Sequence, residues 1–70
     1  MADAIAKLSH LLPHWVEHNA SHRDAFRQWQ ERATTEGVGA VADALRDTVE
    51  AAELVEAALR RAVDALAAAR

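Results

Sequence analysis

This chain of 70 residues contains no cysteine and no tyrosine, two glycines, one proline and one phenylalanine. The missing cysteines exclude disulfides and thiolate ligands. A core built from so short a chain stabilises only marginally, which leaves a metal or oligomerisation as the expected support. No apolar run approaches the ~20 residues that a bilayer span requires. The opening "MADAIAKLSHLL" lacks a basic start, a continuous apolar stretch and a cleavage site, so a cytoplasmic location is expected. Lys and Arg are thinly spread and the net charge is −3, so no basic cluster exists to hold nucleic acid or an anionic membrane. Scarce glycine and proline, beside 51% hydrophobic residues rich in alanine, favour a folded, helical chain over disorder.

A single break is written at "TTEGVG", where Thr34 and Thr35 are weak helix formers and Gly37 suits the position just past a helix end. Gly39 is expected to help the reversal. The pattern predicts one all-α domain over residues 1–70, an antiparallel helical hairpin with helices near 3–34 and 39–69 and a turn at 35–39. Pro13 lacks an N–H and its ring clashes with the carbonyl of Ser9, which predicts a first helix kinked or restarted there. Apolar residues spaced alternately by three and four define one seam per helix. On the first it includes Leu8, Leu12, Trp15, Asn19, His22, Phe26 and Trp29; on the second, Val41, Leu45, Thr48, Ala52, Val55, Leu59 and Leu66. Flanking apolar residues make each face too wide for two helices to bury, so a homo-oligomeric four-helix bundle, dimer or tetramer, is expected.

The chain's four histidines, His10, His14, His18 and His22, stand four residues apart in "HLLPHWVEHNASH". Imidazoles at i and i+4 lie about 6 Å apart along a helix, close enough to ligate one ion. Folding about Gly37 places His18 level with Glu56, the one acidic residue flanking the second seam, so His18, Asn19, His22 and Glu56 are expected at one level. Buried polar groups are costly unless paired, hydrogen-bonded or metal-bound. His18 and His22 are therefore the predicted ligands, with His14 as a further one and Glu56 as third ligand or supporting partner. His14 and His22 are about 12 Å apart along the axis, so His14 is expected in a neighbouring site or across to another subunit. The ladder drifts about 40° per step, which carries His10 toward the outside as an ordinary surface residue.

Imidazoles with at most one carboxylate suit nickel, zinc, copper(II) or cobalt, and suit magnesium or calcium poorly. "HWVEH" also spells the inverted zinc-peptidase motif H-x-x-E-H, with Glu17 as general base. That reading is rejected, because such enzymes need a further ligand and a substrate cleft for which this chain has no room. Trp15, Phe26 and Trp29 read as packing residues, and Arg60, Arg61 and Arg70 as solvated charges. The remaining alternative is a structural or adaptor bundle in which the His/Asn/Glu layer fixes register and partner choice, a known use of core asparagine.

The signature "LLPHWVEHNASH", followed by "FRQW", a glycine turn and an Ala/Leu/Glu helix, resembles a family of small helical-hairpin proteins sharing H-W-x-E-H-N-x-x-H. The match falls on His14, Trp15, Glu17, His18, Asn19 and His22, leaves out His10, and departs at Pro13, where an ordinary helix former is expected. The resemblance implies metal binding, in some members beside cobalt or nickel handling systems.

Overall fold

The computed structural model describes residues 2–69, with side chains from residue 3 onward; Arg70, expected as a solvated charge, lies outside them. Helix α1 spans Ala2–Thr35 and helix α2 spans Gly39–Ala69, and the two pack against each other. No strand occurs among the described residues. The hairpin is a rod of 52 × 14 × 13 Å, as long as an unbroken helix of 34 residues at about 1.5 Å per residue. Helix α1 runs through Pro13 without interruption, so the expected restart does not occur. The Pro13 ring sits on an exposed part of the helix.

Gly37 makes the turn. With φ at 79° it occupies the left-handed region that side chains avoid. The Val38 N–H donates to the Ala33 carbonyl at 2.9 Å and the Gly37 N–H to the Thr34 carbonyl at 3.2 Å. This pair of bonds is the Schellman arrangement, which satisfies carbonyls that the helix end would leave open. Gly39 has no such duty: its φ is not positive and a Cβ there would meet nothing within 4 Å.

The helices meet along the expected seam, rotated slightly to one side: Leu8, Leu12, Asn19, Phe26, Leu45, Thr48, Ala52, Leu59 and Leu66 of it are buried or half-buried. Leu12, Ala42, Val49 and Ala52 are the buried apolar residues. Leu8, Val16, Asn19, Arg23, Phe26 and Gln30 on α1 are half-buried, as are Leu45, Glu56, Leu59, Val63 and Leu66 on α2. Trp15, Trp29, Val41 and Val55, expected in the seam, remain exposed, Trp15 at 41% and Trp29 at 59%. Small buried residues at Ala42 and Ala52 suit a close approach of the two helices. The level of pairing is the expected one, since Trp29 and Ala33 meet Val38, Val41 and Leu45 near the turn, and Leu8 and Leu12 meet Val63 and Leu66 at the open end.

Candidate metal centre

At 100° per residue, α1 presents two edges flanking the seam. One carries Val16, Arg23 and Arg27; the other carries Leu11, Trp15, His18, His22 and Trp29. On the first edge charges bridge the helices. The Arg23 Nη1 donates to Glu56 Oε1 at 2.6 Å, and Arg27 lies 3.5 Å from Glu53. Arg60, one turn along α2, adds a 3.3 Å bond to the other Glu56 oxygen. Arg23 and Glu56 are mostly covered, with side chains 22% and 18% exposed. Between the edges, Asn19 Nδ2 donates to the Ala52 carbonyl at 2.8 Å, a bond worth about 1 kcal/mol. No buried side-chain polar atom among the described residues lacks a partner.

The four polar residues expected at one level therefore separate into two groups. Asn19 and Glu56 belong to the helix–helix contact. His18 and His22 stand outside it, both exposed. Glu56 is occupied by Arg23 and Arg60 and is not brought to the imidazoles. Arg23 is the residue that sequence reasoning missed. Its signal was present: a lone acid among alanines and valines on α2 calls for a base at the matching edge of α1, and Arg23 is one turn from Asn19.

On the second edge the ladder forms a column. His14 stacks on His18 with ring centroids 5.9 Å apart, His18 meets His22 edge-on at 4.4 Å, and His22 stacks on Phe26 at 6.0 Å. The decisive contact is between the Nε2 atoms of His18 and His22, 2.9 Å apart. Two nitrogens each about 2.05 Å from one ion lie about 2.9 Å apart at a right angle and about 3.3 Å apart at the tetrahedral angle. The spacing of the two nitrogens, though not the direction of their lone pairs, matches that of two ligands on one ion. Without an ion, one Nε2–H donates to the other Nε2. His10 is exposed, and the ring column among the described residues begins at His14. Glu17 points elsewhere, lining a shallow open depression with Pro13, Val16, Arg60, Val63 and Asp64. No cluster of three or more His, Asp or Glu side chains able to hold an ion occurs among the described residues.

A two-helix hairpin carrying an imidazole pair on an exposed face is the class of protein that this geometry defines. The chain belongs to the family described as a domain of unknown function, DUF8180, whose pattern matches residues 8–66. It is 38% identical over 58 residues to an uncharacterized protein of Archaeoglobus fulgidus, covering 83% of this chain and 92% of that one. No solved structure matches it. Among the described residues, no helix is long and apolar enough to cross a membrane.

Proposed function

We propose that this protein is a non-enzymatic, cytoplasmic binder of a divalent transition metal, working as a homo-oligomeric helical bundle in sequestration, delivery or sensing. His18 and His22 are its primary ligands, His14 is an auxiliary one, and nickel, zinc, copper(II) and cobalt are the ions that fit imidazole donors. The observation that carries this reading is the 2.9 Å approach of the two Nε2 atoms. Both rings are exposed and accessible to an ion.

The test is calorimetric titration of the metal-free protein with zinc, nickel and copper(II), followed by melting curves. Micromolar or tighter binding that raises the melting temperature is expected, and His18→Ala and His22→Ala each abolish both effects. Absence of binding by the parent protein rejects the reading. In that event the structural or adaptor bundle stands in its place. It is supported by the Asn19–Ala52 bond and the Arg23–Glu56 pair, which set the register of the two helices.

A further inference from the structure

The imidazole pair is half of a coordination shell. A four-coordinate ion held by His18 and His22 has two positions open, and among the described residues no group of three or more His, Asp or Glu side chains is gathered to fill them, His14 standing one turn away. The surroundings of the pair indicate where the other donors come from. Leu11, Trp15, His18, His22, Ala25 and Trp29 share one edge of α1, and none of them carries a fixed charge. Such a strip, with two tryptophans exposed, is more apolar than a surface meant only for water. The accessible surface of 5166 Å² also exceeds the roughly 4,300 Å² expected of a compact chain of this mass.

The strip is self-complementary. His18 and His22 straddle the middle of the 34-residue α1. If a second copy lies on it with its α1 antiparallel and the two-fold axis at the level of Ala20, His18 comes level with His22 of the second copy. Trp15 then faces Ala25 of that copy, and Leu11 faces its Trp29, so that large meets small or apolar at each step. All these residues lie on the same edge, so one rotation of the helix serves every pairing. The whole face, 52 by 14 Å, offers on the order of 700 Å² in projection, of which the strip from Leu11 to Trp29, about 27 Å long, is roughly half; a stable interface takes ~800 Å² per partner, so the pairing needs the full face and not the strip alone.

Resting on the metal-binding reading above, we propose that the site is shared: His18 and His22 from two copies complete a four-imidazole shell around one divalent transition-metal ion on the two-fold axis. Metal binding and pairing of α1 with α1 are then a single linked event, each strengthening the other.

The test uses zinc alone, with the stoichiometry read by calorimetry and the mass by sedimentation on the same samples. One zinc per two chains, bound together with a doubling of mass, is the expected result. Trp15→Glu places a carboxylate in the docking strip at a position exposed in the single hairpin, so the variant retains its helical circular dichroism. It is expected to stay monomeric and to bind zinc about tenfold more weakly or worse. One zinc per chain on a monomer overturns the shared site while leaving metal binding intact. A dimer indifferent to zinc and to His18→Ala also overturns it, as does absence of zinc binding, whereas the metal-binding reading falls only if nickel and copper(II) fail to bind as well.

Discussion

Along one edge of the hairpin the charges of α1 meet those of α2; along the other, the middle of the hairpin presents aromatic rings, imidazoles and alanine methyls. On the first edge Arg23, Glu56 and Arg60 form a continuous chain of ionic hydrogen bonds, and Arg27 and Glu53 extend it. These contacts leave the edge with its polar groups satisfied and its surface charged, so it has nothing to gain from a partner. On the second edge Trp15, Trp29, Val41 and Val55 stay in water and His18 and His22 satisfy only each other. The difference teaches which polar residues serve the contact between the helices and which stand outside it. Asn19 and His22 differ by a few residues and a small rotation, yet the first hydrogen-bonds the opposite helix and the second faces outward.

The sharpest break in this comparison comes from the contact both edges flank. Leu12 is 6% exposed, and Leu12→Ala removes a large share of the apolar contact at the open end of the rod. It is expected to lower the unfolding free energy by about 2–3 kcal/mol, read by urea denaturation. Both edges fail together in that variant. A loss below about 0.5 kcal/mol, the range of an ordinary surface substitution, shows that the two helices do not pack in this rotation.

The charged edge is tested next, by a double-mutant cycle on Arg23→Ala and Glu56→Ala. A coupling of about 1–2 kcal/mol in stability is expected for a hydrogen-bonded pair that is mostly covered. Zinc affinity of the Glu56→Ala variant should remain within about twofold of the parent, because the carboxylate serves Arg23 rather than the ion. A tenfold loss of affinity with little change in stability moves Glu56 to the metal and removes the distinction between the edges.

Much of the fold was legible in the sequence because its cues are local. The helix bounds and the Gly37 turn follow from propensity and from the single place where a positive φ is needed. The level at which residues face one another follows from counting outward from that turn. The fine rotation of each helix about its axis was not legible, because apolar residues flank the seam on both sides: Leu12, Asn19 and Phe26 of the seam are covered, while Val16 on one side replaces Trp15 and Trp29 on the other. That rotation is settled by how the two helices pack, which is a property of the pair and not of either sequence segment alone. The candidate site divides in the same way. The neighbourhood of His18 and His22 follows from their spacing of four, whereas the attachment of Glu56 to Arg23 required the rotation to be known.

The smallest effect in the single hairpin should come from Trp29→Ala, and it bears on the comparison most directly. Its indole is 59% exposed, and its contact with the Arg32 guanidinium, 5.3 Å from the ring centre, is of the weak, solvent-exposed kind. Truncation should change the stability of the metal-free monomer by about 0.5 kcal/mol or less. In the proposed zinc-loaded pair the same ring would lie against Leu11 of the second copy, where losing it is expected to cost on the order of 2 kcal/mol, about a 30-fold weaker association. The ratio of the two effects measures how much of this edge is surface and how much is interface. Equal and small effects in both states place the second copy elsewhere on the rod and leave His18 and His22 as a pair served by one chain.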